Sequence, residues 1–544
     1  MRSTVTSPPT SIDARTLTGG TQLRSDVAIV GSGPAGFTIA DRLRGSGLDV
    51  TLIEAGGTHP DKHAQDVFDG ENVGHPYFPL NTCRFRVFGG GSNRWGGWCR
   101  PLEPDDFVTR SWIDGSGWPI GAADLEPFYA DAAELLGLPA AAFDVDAWSD
   151  VLPAPLDLRG DEFTNALFLY SPQLNFAERY APRLAQAANV TTLLHANVTE
   201  LRLDPDGRRI EAVRIRATGG GEVIVRARAV VLAAGGIENA RLLLASDDQR
   251  PAGLGNEHDL VGRYFMDHLH VPVGHLRLTT TDGAVPAFYR KATYPTGLKT
   301  RGVVTPTAQA RERYGLLGAS IAIEGASYAY GTPFLGWSPA LTFGAVRAYR
   351  RLRSGRGERL AEWLRGTSEQ IWNVSRRMET ARAARDAQAR AGADGGRPPH
   401  SLYFRTEQMP DRDSRVTLDP RNRDAYGMPR TRLEWRVADR DLDAIRRSLE
   451  RFDAQMRADG LGTVIPPAEG WEAGIIGGPH HLGTTRMHAD PRHGVVDADG
   501  RLHSVPNLYV AGSSTFTTGG FANPTFTIVA LALRQAEHLR STLT

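Results

Sequence analysis

The stretch that decides the fold reads Asp26-Val27-Ala28-Ile29-Val30-Gly31-Ser32-Gly33-Pro34-Ala35-Gly36, followed by Phe37, Ile39, Ala40 and Leu43 and then by Asp49-Val50-Thr51-Leu52-Ile53-Glu54-Ala55. Two short β-branched runs of this kind suit buried parallel strands. The apolar residues between them recur at helical spacing. Strand, GxGxxG, helix, strand and acid, with the acid about 20 residues past the glycines, form a dinucleotide fingerprint. Gly31 permits the tight turn, Gly33 lets the backbone approach a pyrophosphate, and Gly36 lets helix and strand pack closely. Pro34 and Ala35 open the helix whose N-terminus faces the phosphates. Glu54 can accept hydrogen bonds from a ribose diol. NAD and FAD share this fingerprint, so it does not choose between them.

Later segments favour FAD. Val190–Val198 reads as a strand leading into a turn, where the Val198 backbone can reach an adenine. Residues 198–228 alternate like a β-meander with Asp-Gly and Gly-Gly turns. Ala229-Val230-Val231-Leu232-Ala233-Ala234-Gly235-Gly236 is another buried strand with a glycine end. The flavin loop expected at 87–98 contains Gly91, Ser92, Asn93, Trp95 and Gly96. Large aromatics flank its glycines, and irregular loops of that composition tend to serve sites.

The C-terminal part holds His480-His481-Leu482-Gly483-Thr484-Thr485-Arg486-Met487, then Asn507–Gly512, then Asn523-Pro524-Thr525. An imidazole beside a carboxamide can remove a proton from an alcohol and hold the alkoxide. His480 and His481 are rival bases, and adjacent residues on an extended segment face opposite ways.

In these motifs, in order from about Asp26 onward, the chain resembles the glucose–methanol–choline (GMC) oxidoreductases, which are FAD-dependent. Val261–His268 and Ser414–Leu418 carry the same likeness. The tandem histidine and the Ser92-Asn93-Arg94-Trp95 loop are most similar to the pyranose oxidase and bacterial glycoside 3-oxidase branch. The resemblance implies oxidation of an alcohol by hydride transfer to flavin N5. His480 aligns with the family base and Asn523 with its second active-site residue. Gly512 and the Thr525 backbone fall beside the flavin, and His268 reads as scaffold. Fungal pyranose oxidases carry a flavin-linking histidine where this chain has Arg94, so non-covalent FAD is expected. The substrate class implied is a sugar or glycoside, oxidised at a secondary ring hydroxyl (C3 or C2), with oxygen or a quinone-type acceptor. A tailoring oxidase of a natural-product sugar or alcohol, or a non-sugar alcohol dehydrogenase, is the alternative.

The chain has 544 residues and a formal net charge of zero, which points to several domains and away from nucleic acid. Its two cysteines offer no metal-ligand spacing, and no metal is expected. No long apolar run or leader is visible, so no membrane insertion and a cytoplasmic location are expected. The fold class expected is α/β: a discontinuous Rossmann-like FAD domain (21–80, 181–268, 488–544) and an α+β substrate domain with a large mixed or antiparallel sheet (81–180, 269–487). Residues 1–20 read as a flexible arm that can cross onto another copy in a homo-oligomer. The Arg- and Ala-rich segment 340–390 reads as helical, either covering the substrate domain or marking a partner or membrane surface.

Overall fold

The computed structural model describes residues 11–139, 143–172, 174–279, 284–294, 297–324 and 399–544. The expected helical segment 340–390 and the first ten residues of the expected arm lie outside them.

Two large sheets organise the chain. The first has the order Ser11–Asp13, Val190–Leu194, Val50–Ile53, Thr21–Val30, Glu222–Leu232, Ile210–Ala217, Ala196–Leu203, with Leu508–Val510 also paired to Glu222–Leu232. Its centre is parallel: Val27 to Val30 stand opposite Val50 to Ile53 and, on the other side, Ala229 to Leu232. All four residues of each run are buried, as a sheet covered on both faces requires. The last three strands form the antiparallel meander. Pro34–Arg42 covers this sheet and packs against Thr525–Leu543, which also meets Ala122–Leu135.

The second sheet runs Gly462–Ile465, Leu269–Leu278, His400–Thr406, Ala319–Glu324, Lys299–Pro306, Phe163–Tyr170, Trp98–Cys99, all antiparallel. The fold is therefore mixed α/β, a Rossmann-like layer beside a substrate-domain sheet. A third, small sheet joins Arg415–Arg423, Pro429–Glu434 and Gly70–Asn72.

Two segments sit differently from expectation. Residues 11–20 are not a loose arm. Ser11–Asp13 pairs in parallel with Thr192–Leu194 and satisfies the free backbone edge of that strand, and Asp13 then caps the turn at Ala14–Thr16. Gly70–Asn72, expected within the nucleotide domain, pairs with Thr431–Leu433 instead. Both cysteines are free thiols, Cys99 buried and Cys83 partly so.

Candidate active site

The fingerprint loop forms a cradle. The Gly31 N–H donates to the Ile53 carbonyl (2.8 Å), and φ of Gly31 is +104°. A Cβ there would stand 2.5 Å from the Ala233 carbonyl oxygen, and one on Gly36 would stand 1.9 Å from the Gly31 carbonyl oxygen. Glycine is thus required at both positions for the crossing of helix and strands. Around the N-terminus of Pro34–Arg42 the crowding stops. A Cβ on Gly33, Gly91 or Gly235 would meet no atom within 4 Å, and one on Gly512 only the Ala35 Cβ, at 4.0 Å. No side chain caps that helix. Its free N–H groups and positive dipole end border open space that suits an anionic pyrophosphate.

Glu54 is fixed beside this space. It accepts from the Ser32 hydroxyl (2.6 Å), the Ser32 N–H (3.2 Å) and the Gly56 N–H (2.7 Å). The Ser32 hydroxyl oxygen in turn accepts the Gly89 N–H (3.0 Å). One serine ties the fingerprint, the acid and the flavin loop together, a role the sequence reading did not assign. Ala55 follows on the same rim. Val198, on Ala196–Leu203, is partly exposed, and the Ala234 N–H is held by Asn239 Oδ1 (2.9 Å). An open cradle, a fixed carboxylate and a helix N-terminus fit the dinucleotide half of FAD.

In the loop 87–98 only part of the expected set faces that space. Ser92 donates to the Gly89 carbonyl (2.6 Å), Asn93 Nδ2 donates to the carbonyls of Phe88 and Gly90 (3.0 and 2.9 Å), and Trp95 Nε1 donates to the Leu174 carbonyl. These side chains brace the loop. Gly91 and Gly96 present exposed backbone. Thr525 is partly exposed at the start of Thr525–Leu543, whose first-turn N–H groups have no intrahelical acceptor.

The proton-handling groups meet across three segments. His480 Nε2 lies 3.2 Å from Asn523 Nδ2, and His480 Nδ1 lies 2.7 Å from His268 Nδ1. His268 Nε2 lies 2.8 Å from the Gly520 carbonyl oxygen. A carbonyl only accepts, so His268 Nε2 carries its proton there. Burial holds the His268 pKa below its ordinary value, so the ring is neutral and its Nδ1 is a lone pair. His480 Nδ1–H must then donate to it. Burial, followed by His268, His270, His481 and Arg405, holds His480 well below 6.5. The bare lone pair of His480 is therefore Nε2, the atom that faces Asn523.

Backbone contacts reinforce this chain. Asp267 accepts N–H groups from His268 (2.7 Å), His480 (2.9 Å) and Gly478 (3.0 Å), and the Tyr77 hydroxyl (2.5 Å). Burial pushes its carboxyl up to about 6. Beyond Gly520, Glu407 accepts the Gly520 N–H (3.3 Å) and a bidentate pair from Arg110 (2.6 and 2.9 Å). His481 is turned away. Its ring packs on Phe265 and Tyr77, with centroids 5.9 and 6.0 Å away, and burial pushes its pKa down to about 3. Of the two adjacent histidines, only His480 meets Asn523. His268, scaffold by its resemblance to the family motif, is in the structure the hydrogen-bond acceptor behind His480. The Asp267-His268 dipeptide was the available signal, an acid and an imidazole adjacent in a buried run.

Two family models match the chain: FAD dependent oxidoreductase over residues 26–253 and GMC oxidoreductase over residues 410–532. The chain belongs to the GMC oxidoreductases. As a GMC oxidoreductase it is an FAD-dependent enzyme that acts on CH–OH donors. It is 27% identical to a 2-methyl-1,2-propanediol dehydrogenase of Mycolicibacterium austroafricanum, over 95% of both chains. It is 24% identical to a C-glycoside 3-oxidase of Microbacterium trichothecenolyticum, over 95% of this chain and 97% of the other. Among solved structures, pyridoxine 4-oxidase from Mesorbium loti matches with a TM-score of 0.55 and 16% identity, over 94% of this chain and 98% of that one. This GMC chain has, among the described residues, no helix long and apolar enough to cross a membrane.

Proposed function

We propose that this GMC oxidoreductase oxidises a secondary ring hydroxyl of a sugar or glycoside, at C3 or C2, to a ketone. The observation that carries the catalytic part is the His480–Asn523 pair, 3.2 Å apart, with the tautomer of His480 fixed from behind by His268. Likeness to the C-glycoside 3-oxidase supports the substrate class.

FAD, when bound, supplies the hydride acceptor. Gly31, Gly33, Pro34, Ala35, Gly36, Glu54, Ala55, Val198, Ala234, Gly235 and Gly512 would hold it at the cradle, and Gly91, Gly96 and Thr525 through backbone nearer the reacting ring. Ser92, Asn93 and Trp95 contribute by keeping the loop in shape. His480 Nε2 takes the hydroxyl proton while Nδ1–H stays on His268. Asn523 donates an amide N–H to the oxygen as negative charge develops, where a buried donor is most effective. Exposed Arg94 extends over Phe85, 5.3 Å from its ring centroid, and offers no nucleophile, so the FAD is dissociable. Denatured holoenzyme should release its flavin to the filtrate; protein-bound colour after denaturation would refute this.

A second reading, oxidation of a small non-sugar alcohol, is favoured by the full-length likeness to the propanediol dehydrogenase. One experiment separates the two. Holoenzyme is mixed anaerobically with O-glycosides, C-glycosides and 2-methyl-1,2-propanediol, bleaching is followed near 450 nm, and the oxidised carbon is mapped in each product. Bleaching by the diol alone would overturn the glycoside reading. Repeating the reduced-enzyme step with oxygen and with a quinone identifies the acceptor.

A further inference from the structure

The face of the second sheet next to His480 is basic and aromatic. His270 is opposite Arg405 in register, and Tyr403 is on the same side of His400–Thr406. The His270 ring centroid is 6.3 Å from that of His480 and 5.7 Å from that of Tyr403. The Arg405 guanidinium stacks on Tyr403 at 5.0 Å and on Trp98 at 4.5 Å. Trp98 leads on to Tyr170 (5.1 Å), over which Lys291 and Lys299 are placed at 4.6 and 5.5 Å. Arg301 lies 5.5 Å from the Trp98 ring centroid. Phe168, packed on Trp98, also touches Phe521 of the loop that carries Asn523, so this face and the proton-handling groups line one site.

The charges on this face do not balance. Arg301 pairs with Glu324. Among the described residues Arg405, Lys291 and Lys299 have no carboxylate partner at all. Arg405 Nη1 is buried with no hydrogen-bond acceptor, and so is Nε2 of its neighbour His270. Nearby Lys299 and Arg301 add to burial in lowering the Lys291 pKa. A guanidinium held half out of water without a counterion is unfavourable unless something else supplies the charge. Arginine's planar fork matches an oxyanion.

We propose that the substrate carries an oxyanion, a carboxylate or a sulfate ester, bound by Arg405 with Lys299 while His480 faces the hydroxyl. This deepens the glycoside reading and rests on it for the sugar, though not for the anion.

The test uses holoenzyme with its flavin reduced by dithionite, kept anaerobic so that no turnover occurs, and calorimetric titration with methyl glucoside, methyl glucuronide and inorganic sulfate. The glucuronide should bind at least about tenfold more tightly than the glucoside, the fold-change expected of one charge-assisted contact. That advantage should shrink as ionic strength rises and vanish in Arg405→Gln, while Arg405→Lys keeps part of it and both variants keep their flavin. If Arg405→Gln loses flavin, Lys299→Gln, at the more open edge, takes its place and should weaken glucuronide binding alone. Equal binding of glucoside and glucuronide, or a glucuronide advantage unaffected by Arg405→Gln, overturns the proposal. If neither glycoside binds, sulfate decides: Arg405-dependent sulfate binding supports the oxyanion site, and its absence overturns it. If the anions bind but no glycoside bleaches the flavin, the sugar reading fails and the oxyanion site stands.

Discussion

Replacing His268 by Leu should slow flavin reduction without releasing FAD or weakening substrate binding. Leucine fills the space but removes the acceptor for His480 Nδ1–H. That N–H sits where burial already depresses the ring's pKa, so losing its 2.7 Å partner leaves a buried donor unsatisfied. The penalty for such a group is about 1–3 kcal/mol. The ring can avoid it by moving the proton to Nε2, which cannot then accept one from the alcohol. The reactive tautomer is disfavoured by that same about 1–3 kcal/mol, or about 5- to 150-fold in rate constant. His268→Gln offers an amide oxygen to His480 and an amide N–H to the Gly520 carbonyl, so it should recover most of the loss. The assay is anaerobic stopped-flow bleaching at saturating substrate, with the reduction rate constant separated from substrate affinity. Wild-type reduction in His268→Leu would refute the tautomer argument. So would a His268→Gln enzyme as slow as His268→Leu, because packing alone would then explain the defect.

Removing the proposed base is more severe: His480→Ala should keep its flavin while reduction falls about 100-fold or more, and His481→Phe, which keeps the packing on Phe265 and Tyr77, should reduce nearly normally. A result with the two reversed would move the base to His481. Because His480 is held well below 6.5, it is already unprotonated at neutral pH. The reduction rate constant should stay level down to pH 6.5 and fall only at lower pH; an acid limb centred at or above 6.5 would contradict this. The neutral state of His268, His480 and His481 is favoured by folding, so their contribution to stability is complete above about pH 6.5 and declines as pH falls through their lowered folded values. Melting temperatures measured across that range check the sign. Gly36→Ala forces a Cβ onto the Gly31 carbonyl oxygen at 1.9 Å. Relief costs about 1–3 kcal/mol and opens the cradle, so the purified variant should be short of FAD.

The nucleotide half of the fold was legible because its signals are local. Hydrophobic runs such as Val27–Val30 mark buried strands, and three glycines at set spacing mark a turn that only close packing explains. The meander was legible from alternation and its turns. The partnership of His480 with His268 was not, because 212 residues separate them and an acid–imidazole dipeptide does not name the ring it will meet. Ser32 stands inside the fingerprint, yet its hydroxyl gains meaning only when Gly89 arrives 57 residues later. Asn93 and Trp95 look like ligands in a list of polar and aromatic residues, but once the loop closes their polar atoms face inward to hold it. Pairing of Ser11–Asp13 with Thr192–Leu194 depends on an open sheet edge, which no property of a three-residue segment announces.

Strand Leu508–Val510 lies beside Glu222–Leu232, and the terminal helix Thr525–Leu543 rests on Pro34–Arg42. An early and a late segment of the fold are therefore neighbours. A nascent chain that has made the fingerprint and the meander still lacks one neighbour of Glu222–Leu232, one helix against its cradle, and Asn523. It holds neither member of the His480–Asn523 pair. Synthesis order thus makes the His480–Asn523 pair a late event of assembly, and a chain that stops short of Asn523 lacks both that amide and the helix that packs on Pro34–Arg42.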